Sequence, residues 1–336
     1  MTYARKSLIS LQDTPYYHVV SRCVRRAWLW GCDDYAGKDY SHRKAWVLDR
    51  LRELSGVFAI DICAWAVLSN HYHLVLRVDQ ERGRRLTAEE VVERWTRLFS
   101  LPVLLERWQQ GLCGDAERAV VDALIGDWRA RLCDVSWYMR CLNEHLARRA
   151  NAEDQCKGRF WEGRFRSQAL LDEAGLLTAM AYVDLNPIRA GIAATPEESD
   201  FTSVEARIKE LAAAHESGSV STDASGSLRV PLLKFRGAAS EGHPTIPFLF
   251  LDYLELVDWT GRAIRTDKRG AIDSRLPPIL RRLNVDAVAW QEAMRPNGNV
   301  FGRALGRLDH LRLHAKALGQ SWIRGVRQAE RLYPHA

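Results

Sequence analysis

Apolar residues follow two different periods in the first quarter of the chain. A stretch rich in Val, Ile, Leu and aromatic residues predicts two strands, 58–68 and 72–78, joined by a turn. Residues 16–24 (YYHVVSRCV) have the composition of a further strand, whereas 40–55 carries apolar residues at helical spacing. This β-α-β-β order is the front half of a ferredoxin-like antiparallel sheet and predicts an α+β fold.

The middle of the chain is predicted to be mostly helical. We interpret 81–134 as a helical insertion into the sheet domain. Helical spacing returns at 136–149, and a short apolar strand is predicted at 167–171. A very apolar helix is predicted over 173–185, ending before Pro187, because the residue preceding a proline disfavours the helical conformation.

The composition changes after about residue 205. Residues 206–227 contain the stretch SGSVSTDASGS, which is typical of a flexible linker. The remainder, 228–336, is predicted to form a mostly helical C-terminal domain, with an apolar segment at 247–257 that suits a strand or a helix, and helical spacing at 299–318. The predicted organisation is therefore a domain at 1–205, a linker at 206–227 and a domain at 228–336.

Positive charge is concentrated in the C-terminal part. Lys and Arg outnumber Asp and Glu by 48 to 42 in the whole chain, which gives a net charge of +6. Residues 228–336 carry 18 Lys and Arg against 10 Asp and Glu, a net charge of +8, so the rest of the chain is at −2. This basic segment suits contact with DNA phosphates, although it could equally bind a protein partner.

Cysteine usage and hydropathy point to a reducing compartment. The seven cysteines are odd in number and form no C-x-x-C pair, which argues against a disulfide framework and a zinc ribbon. Residues 1–10 lack the apolar core of a leader peptide, and no stretch of about 18 apolar residues is present. We therefore expect a cytoplasmic protein with no membrane partner.

Two pairs of polar side chains stand out within these apolar elements. His71 and His73 alternate along a predicted strand, so both project from one face and could hold a divalent metal ion. Tyr182 and Asn186 are four residues apart, about one helical turn, and would share a helix face if the helix continues. Each pair alone is also compatible with ordinary surface or packing residues.

The two pairs lie within longer motifs that carry a family resemblance. These motifs are YYHVVSRCV at 16–24, LSNHYHLV at 68–75, RFWE at 159–162 and AYVDLNPIRAG at 181–191. With these motifs in this order, the sequence resembles the single-tyrosine HUH transposases, most closely the REP-associated tyrosine transposases of bacteria. The resemblance covers residues 14–205.

The resemblance implies an activity and roles for the four residues. It implies a catalytic domain that binds single-stranded DNA hairpins of the REP type, with Mg²⁺ or Mn²⁺ held by His71, His73 and Asn186. Tyr182 would be the nucleophile, which leaves a 5′-phosphotyrosine and a free 3′-hydroxyl, and reversal of this step rejoins strands. The resemblance also implies that the protein is located in the bacterial cytoplasm, in association with the nucleoid.

The chain departs from the family pattern at two points. Tyr72 occupies the middle of the HUH motif, where the family usually has a bulky hydrophobe; we expect it to face the core with its hydroxyl on a partner. The insertion at 81–134 also lengthens the path from His73 to Tyr182. Because closing a longer loop costs little additional free energy, the two halves of the site can still meet.

Cations interleaved with aromatic residues indicate where DNA would bind. Basic side chains can contact backbone phosphates, while aromatic rings can stack on unpaired bases, although such rings also commonly belong to the core. The candidate DNA-binding residues are Arg22, Arg25, Arg26, Lys157, Arg159, Trp161, Arg164 and Arg166.

Two other functions are compatible with the same sequence. The chain could be a domesticated, non-catalytic DNA-binding regulator of repetitive palindromic elements, although the presence of all four site residues argues against this. A metal-independent ribonuclease on a related fold would instead use a histidine as general acid or base and require a 2′-hydroxyl. The sequence leaves open whether the active unit is a monomer or a homodimer.

Overall fold

The computed structural model describes residues 8–24, 32–33, 37–217, 229–238, 242–264, 276–296, 298 and 302–334. Within these residues the fold is α+β, with a five-stranded sheet covered by helices on both faces. The strands are β1 (Tyr16–Arg22), β2 (Cys32–Asp33), β3 (Lys38–Asp39), β4 (Ile60–Val67), β5 (His71–Val78), β6 (Arg166–Leu170) and β7 (Ala304–Leu305). The helices are α1 (Arg43–Val57), α2 (Gln80–Arg85), α3 (Ala88–Thr96), α4 (Val103–Gln109), α5 (Asp115–Leu132), α6 (Val135–Glu153), α7 (Glu173–Asp184), α8 (Asn186–Arg189), α9 (Ser203–Ser217), α10 (Phe250–Ile264), α11 (Pro278–Arg282), α12 (Ala287–Met294), α13 (Leu308–Ala317) and α14 (Val326–Leu332).

The large sheet has the strand order β4-β5-β1-β6-β7, and β2 pairs separately with β3. Its first four strands are antiparallel neighbours. With α1 between β1 and β4, and α6 between β5 and β6, this is the ferredoxin-like arrangement. The fold class predicted from the sequence is thus confirmed.

The two faces of the sheet are covered by different helices. On one face, α6 lies against Tyr72, whose buried hydroxyl donates to Asn143 Oδ1 at 2.7 Å. The core-facing orientation expected for Tyr72 is therefore confirmed. His71 and His73 project from the other face because side chains alternate along a strand, and α7 packs there.

The sequence of α7 explains both where it begins and why it is buried. The Asp172 side chain accepts a hydrogen bond from the Gly175 N–H at 2.8 Å and caps the first turn. The helix is apolar on nearly all sides and buried along most of its length, as expected for a helix enclosed by protein. The chain then turns into α8, with Pro187 at its start.

The predicted insertion at 81–134 is helical in the structure. It comprises α2, α3, α4 and α5, and α3 begins with a capping box formed by Thr87 and Glu90. Trp95 stacks on Trp128, with ring centroids 5.4 Å apart, and so joins α3 to α5. The insertion thus has its own aromatic packing beside the sheet.

The C-terminal segment packs around α7. β7 pairs in parallel with β6, and Tyr333 places its hydroxyl 2.7 Å from Thr178 Oγ1 on α7. Tyr253 donates to Asp184 Oδ2 at 2.6 Å, at the end of the same helix. The segment 228–336 therefore contributes both a strand and core contacts to the sheet domain. The division of the chain at 205 and 228 stays a prediction.

The structure gives the secondary structure of three segments for which the sequence made a prediction. α9 runs across the predicted boundary at 205 and continues through Ser217, so 206–217 is helical; 218–227 lies outside the described residues. The segment 247–257 is helical from Phe250 onward, as α10. The helix expected over 299–318 is wrong at Ala304 and Leu305, because these residues pair with β6, and helix α13 begins only at Leu308.

Candidate active site

The histidine pair lies on β5 beside the C-terminal end of β1. His71 is opposite Arg22, and His73 is opposite Val20, in the antiparallel register of these strands. The His71 and His73 ring centroids are 4.9 Å apart. Arg22 therefore places a cation next to the histidine pair on the same face of the sheet. Its predicted contact with DNA stays a prediction.

Tyr182 and Asn186 reach the histidines from α7 and α8. The Asn186 side-chain Nδ2 lies 3.3 Å from His73 Nε2, and the Tyr182 ring centroid is 5.9 Å from that of His73. Tyr182 is half-buried, in contrast to its neighbours along the helix. The structure thus brings together all four residues singled out in the sequence, despite the insertion between His73 and Tyr182.

A third histidine, His18, lies in the same cluster, and sequence reasoning did not identify it. His18 projects from β1 on the face of the histidine pair, is fully buried, and places Nε2 at 2.9 Å from His73 Nδ1. Its ring is also stacked on that of His73, with centroids 5.2 Å apart. The only indication of this in the sequence is that His18 alternates with residues 16, 20 and 22 along the predicted strand, so that the four side chains share one face.

The imidazoles of His71 and His73 can each bind a metal through Nε2. His71 Nδ1 donates to Asn70 Oδ1 at 2.6 Å, because an amide oxygen only accepts, so Nε2 keeps its lone pair. Burial lowers the pKa of His71 to about 4, helped by Arg22. Burial, followed by the charges of neighbouring groups, holds the pKa of His73 well below its usual range. Both imidazoles are therefore neutral at pH 7, the form that binds metals.

The donor set fits a divalent cation. Among the described residues, no cluster of three His, Cys, Asp or Glu side chains is arranged to hold a metal ion, so a third protein ligand beside the two histidines would have to be of another type, such as an amide. Asn186 is in place to do this after its amide turns its oxygen toward the site. Two imidazoles and an amide oxygen suit Mn²⁺, and Mg²⁺ accepts such a set less readily.

The buried side chain of Arg189 packs against the Tyr182 ring. Its guanidinium carbon lies 3.9 Å from the Tyr182 ring centroid, a cation–π contact. The same guanidinium donates to the carbonyl oxygens of Met294, Arg295 and Gly298 at 2.8 to 3.0 Å. The C-terminal segment thus holds the cation that packs against the tyrosine.

The other predicted DNA-binding residues divide into three groups. Arg25 and Arg26 lie outside the described residues. Trp161 is half-buried, packs edge-on against Tyr72 and donates its indole N–H to Asn143 O at 2.8 Å, so it is largely a packing residue. The exposed cations near the end of β1 and the start of β6 are Arg22, Lys157, Arg159, Arg164 and Arg166.

Comparison with known proteins adds little to this geometry. No family model and no curated protein matches the chain. A solved structure of a REP-associated tyrosine transposase bound to a REP hairpin is similar at a TM-score of 0.35 and 14% identity, over 63% of this chain and 86% of that one. A similarity at that level carries no conclusion about chemistry.

The length and hydropathy of each described helix show whether it could span a membrane. No helix in the described part of the chain is long and apolar enough to cross one.

Proposed function

We propose that this protein is a metal-dependent, single-strand DNA endonuclease and strand transferase that uses Tyr182 as its nucleophile on hairpin DNA. The observation that carries the proposal is the convergence of Tyr182 and Asn186 on His73, from elements far apart in the sequence. A phenol, an amide and two neutral imidazoles together form a site for phosphodiester chemistry. The motif resemblance supports the same assignment.

The chemistry transfers one phosphodiester linkage to the tyrosine. Tyr182 Oη, after losing its proton, attacks the scissile phosphorus; the P–O5′ linkage stays, the P–O3′ bond breaks, and the leaving 3′-oxygen takes up a proton. The products are a 5′-phosphotyrosine and a free 3′-hydroxyl. A Mg²⁺ or Mn²⁺ ion held by His71, His73 and Asn186 would polarise the phosphate and offset its charge. Because the covalent bond keeps the energy of the linkage, attack by a 3′-hydroxyl reverses the step and joins strands.

Cations around the site would position the DNA. Arg22 stands beside His71, and Arg166 is opposite Val20 on the same face of the sheet, so both can contact phosphates next to the scissile one. Lys157, Arg159 and Arg164 extend this positive surface beyond the sheet end. All four proposed site residues come from one chain, so a single copy can form the site.

A covalent-adduct assay tests the proposal. The unaltered protein, Tyr182→Phe and Tyr72→Phe are each mixed with labelled single-stranded hairpins in Mn²⁺, Mg²⁺ or EDTA, and the products are separated on a denaturing gel. We expect a metal-dependent adduct with the unaltered protein and with Tyr72→Phe, whose phenol is on the opposite face of the sheet. Tyr182→Phe should bind hairpins but form no adduct.

Four outcomes would contradict parts of this proposal. An adduct with Tyr182→Phe would remove the assigned nucleophile. Undiminished cleavage by His71→Ala and His73→Ala would remove the metal site. Hairpin binding without any adduct across metals and hairpin sequences would favour a non-catalytic DNA-binding regulator, and cleavage of RNA in EDTA would indicate a ribonuclease.

A further inference from the structure

The proposed function leaves the buried histidine on β1 without a role. His18 lies between two side chains: Nε2 is 2.9 Å from His73 Nδ1, and Nδ1 is 3.3 Å from Gln168 Oε1 on β6. All three side chains are on one face of the sheet and are almost completely inaccessible to water. A buried chain of polar groups that ends at a proposed metal ligand needs an explanation, since burying such groups is costly unless each is hydrogen-bonded.

The direction of this chain of hydrogen bonds follows from both of its ends. At one end, Gln168 Oε1 can only accept, so His18 Nδ1 carries the proton and, in a neutral ring, His18 Nε2 accepts from His73 Nδ1. At the other end, the Asn186 Nδ2 group, in the orientation that the amide has without a metal ion, can only donate, so His73 Nε2 accepts, which again places the proton of His73 on Nδ1. The two ends agree on one tautomer for each histidine.

We propose that His18 and Gln168 are positioning residues that fix His73 as the Nδ1–H tautomer, with its Nε2 lone pair directed at the metal site. In this arrangement each ring has one nitrogen that donates and one that accepts, which is the hydrogen-bonding pattern of a neutral imidazole. His71 has the same Nδ1–H tautomer for a different reason, namely the hydrogen bond that its Nδ1 donates to Asn70. The tautomer assignment stands on the geometry alone; its use in metal binding rests on the proposed function.

Strand register makes this arrangement specific to the fold. His18 and Gln168 are directly opposite in the β1–β6 pairing, while Val20 is opposite His73, so His18 reaches His73 diagonally across two strands. A residue that bonds the second nitrogen of a metal-binding histidine orients the ring and strengthens it as a ligand. Loss of such a partner typically weakens metal binding about 10–100-fold.

The first test reads the tautomers directly, without metal or DNA. Long-range ¹H–¹⁵N correlation spectra of histidine-labelled protein at pH 7 distinguish a ring nitrogen that carries a proton from one with a lone pair. Signals of His18 and His73 are identified by their loss in His18→Gln and His73→Ala. We expect both rings to carry the proton on Nδ1. A proton on His73 Nε2 would overturn the proposal, whatever the protein's activity.

The second test measures Mn²⁺ affinity by calorimetry in a Tyr182→Phe background with a hairpin oligonucleotide present, so that no strand is cut. His18→Met removes the acceptor while keeping side-chain bulk, whereas His18→Gln keeps an amide oxygen within reach of His73 Nδ1. We expect His18→Met to bind Mn²⁺ about 10–100-fold more weakly, and His18→Gln to recover most of that loss. Thermal melting confirms that both variants are folded.

The possible outcomes separate this inference from the proposed function. Equal Mn²⁺ affinity in folded His18→Met and in the parent would overturn the positioning role. If the parent itself binds no Mn²⁺, the proposed metal site fails, while the spectra still decide the tautomer assignment. If His18→Met does not fold, the spectra of the unaltered protein decide between the two His73 tautomers on their own.

Discussion

Substitution of Gly175 tests whether the C-terminal segment packs directly against α7, the helix that carries Tyr182. It lies in the first turns of α7, directly against β7. A methyl group added at Gly175 would lie 2.5 Å from Leu305 O and 2.9 Å from Leu305 C. Both are backbone atoms, so neither can swing aside as a flexible side chain would. Gly175→Ala must therefore push β7 away from α7.

The size of the effect follows from two opposing contributions. Overpacking of this kind costs about 1–3 kcal/mol, and replacing a helix glycine by alanine returns roughly 0.5–1 kcal/mol. Gly126 supplies a matched control, because it is exposed within α5 and an added methyl would meet no atom within 4 Å. We expect Gly175→Ala to lower the free energy of unfolding by about 1–2 kcal/mol and Gly126→Ala to raise it by about 0.5–1 kcal/mol.

Thermal melting measures this difference directly. At roughly 2 °C per kcal/mol for a chain of this size, the melting temperatures of the two variants should differ by about 3–6 °C, with opposite signs relative to the unaltered protein. If Gly175→Ala raises the melting temperature as Gly126→Ala does, then β7 does not pack on α7. The role assigned to the C-terminal segment in supporting the site would then be wrong.

Two further substitutions test packing and charge away from the site. Tyr72→Phe removes the bond to Asn143 and should cost about 1 kcal/mol in urea unfolding; an unchanged midpoint would show that this hydroxyl bond contributes nothing. Burial alone would raise the pKa of Asp79, but the bonds from the Arg82 N–H and Arg77 outweigh it and lower the pKa below 3.8. Its carboxylate therefore stabilises the folded state above that pH, and the benefit is lost as the pH falls. Asp79→Asn should be less stable than the unaltered protein at pH 7, and unfolding curves should converge below about pH 4.

The sheet was predictable because its strands carry long, regular patterns. The strands around His71 and the apolar helix around Tyr182 each present enough residues for their period to be recognised. β7 has only two residues, Ala304 and Leu305, and a period cannot be read from so short a segment. Its strand conformation comes from pairing with β6, which is a tertiary contact and leaves no local pattern.

The site was predictable only as far as its members lie in distinctive motifs. His71, His73, Tyr182 and Asn186 were found in this way, whereas His18 is a single histidine in an otherwise ordinary strand. Its contact with His73 depends on the register between β1 and β5, since a shift by one residue would turn it to the opposite face. Register is set by the packing of the whole sheet and cannot be read from the strand alone.

The charges around the proposed ligands would favour a polyanionic substrate at this site. The proposed ligands His71, His73 and Asn186 are neutral, and besides burial the cations Arg189 and Arg22 both contribute to the lowered pKa of His73. A divalent ion here would be repelled by both arginines, because no ligand carries a compensating negative charge. DNA phosphates would supply that charge, so the metal and the DNA should each strengthen the binding of the other. The arginines and the histidine pair, separate features in the sequence, would then act as one site whose metal is held firmly only when the substrate is present.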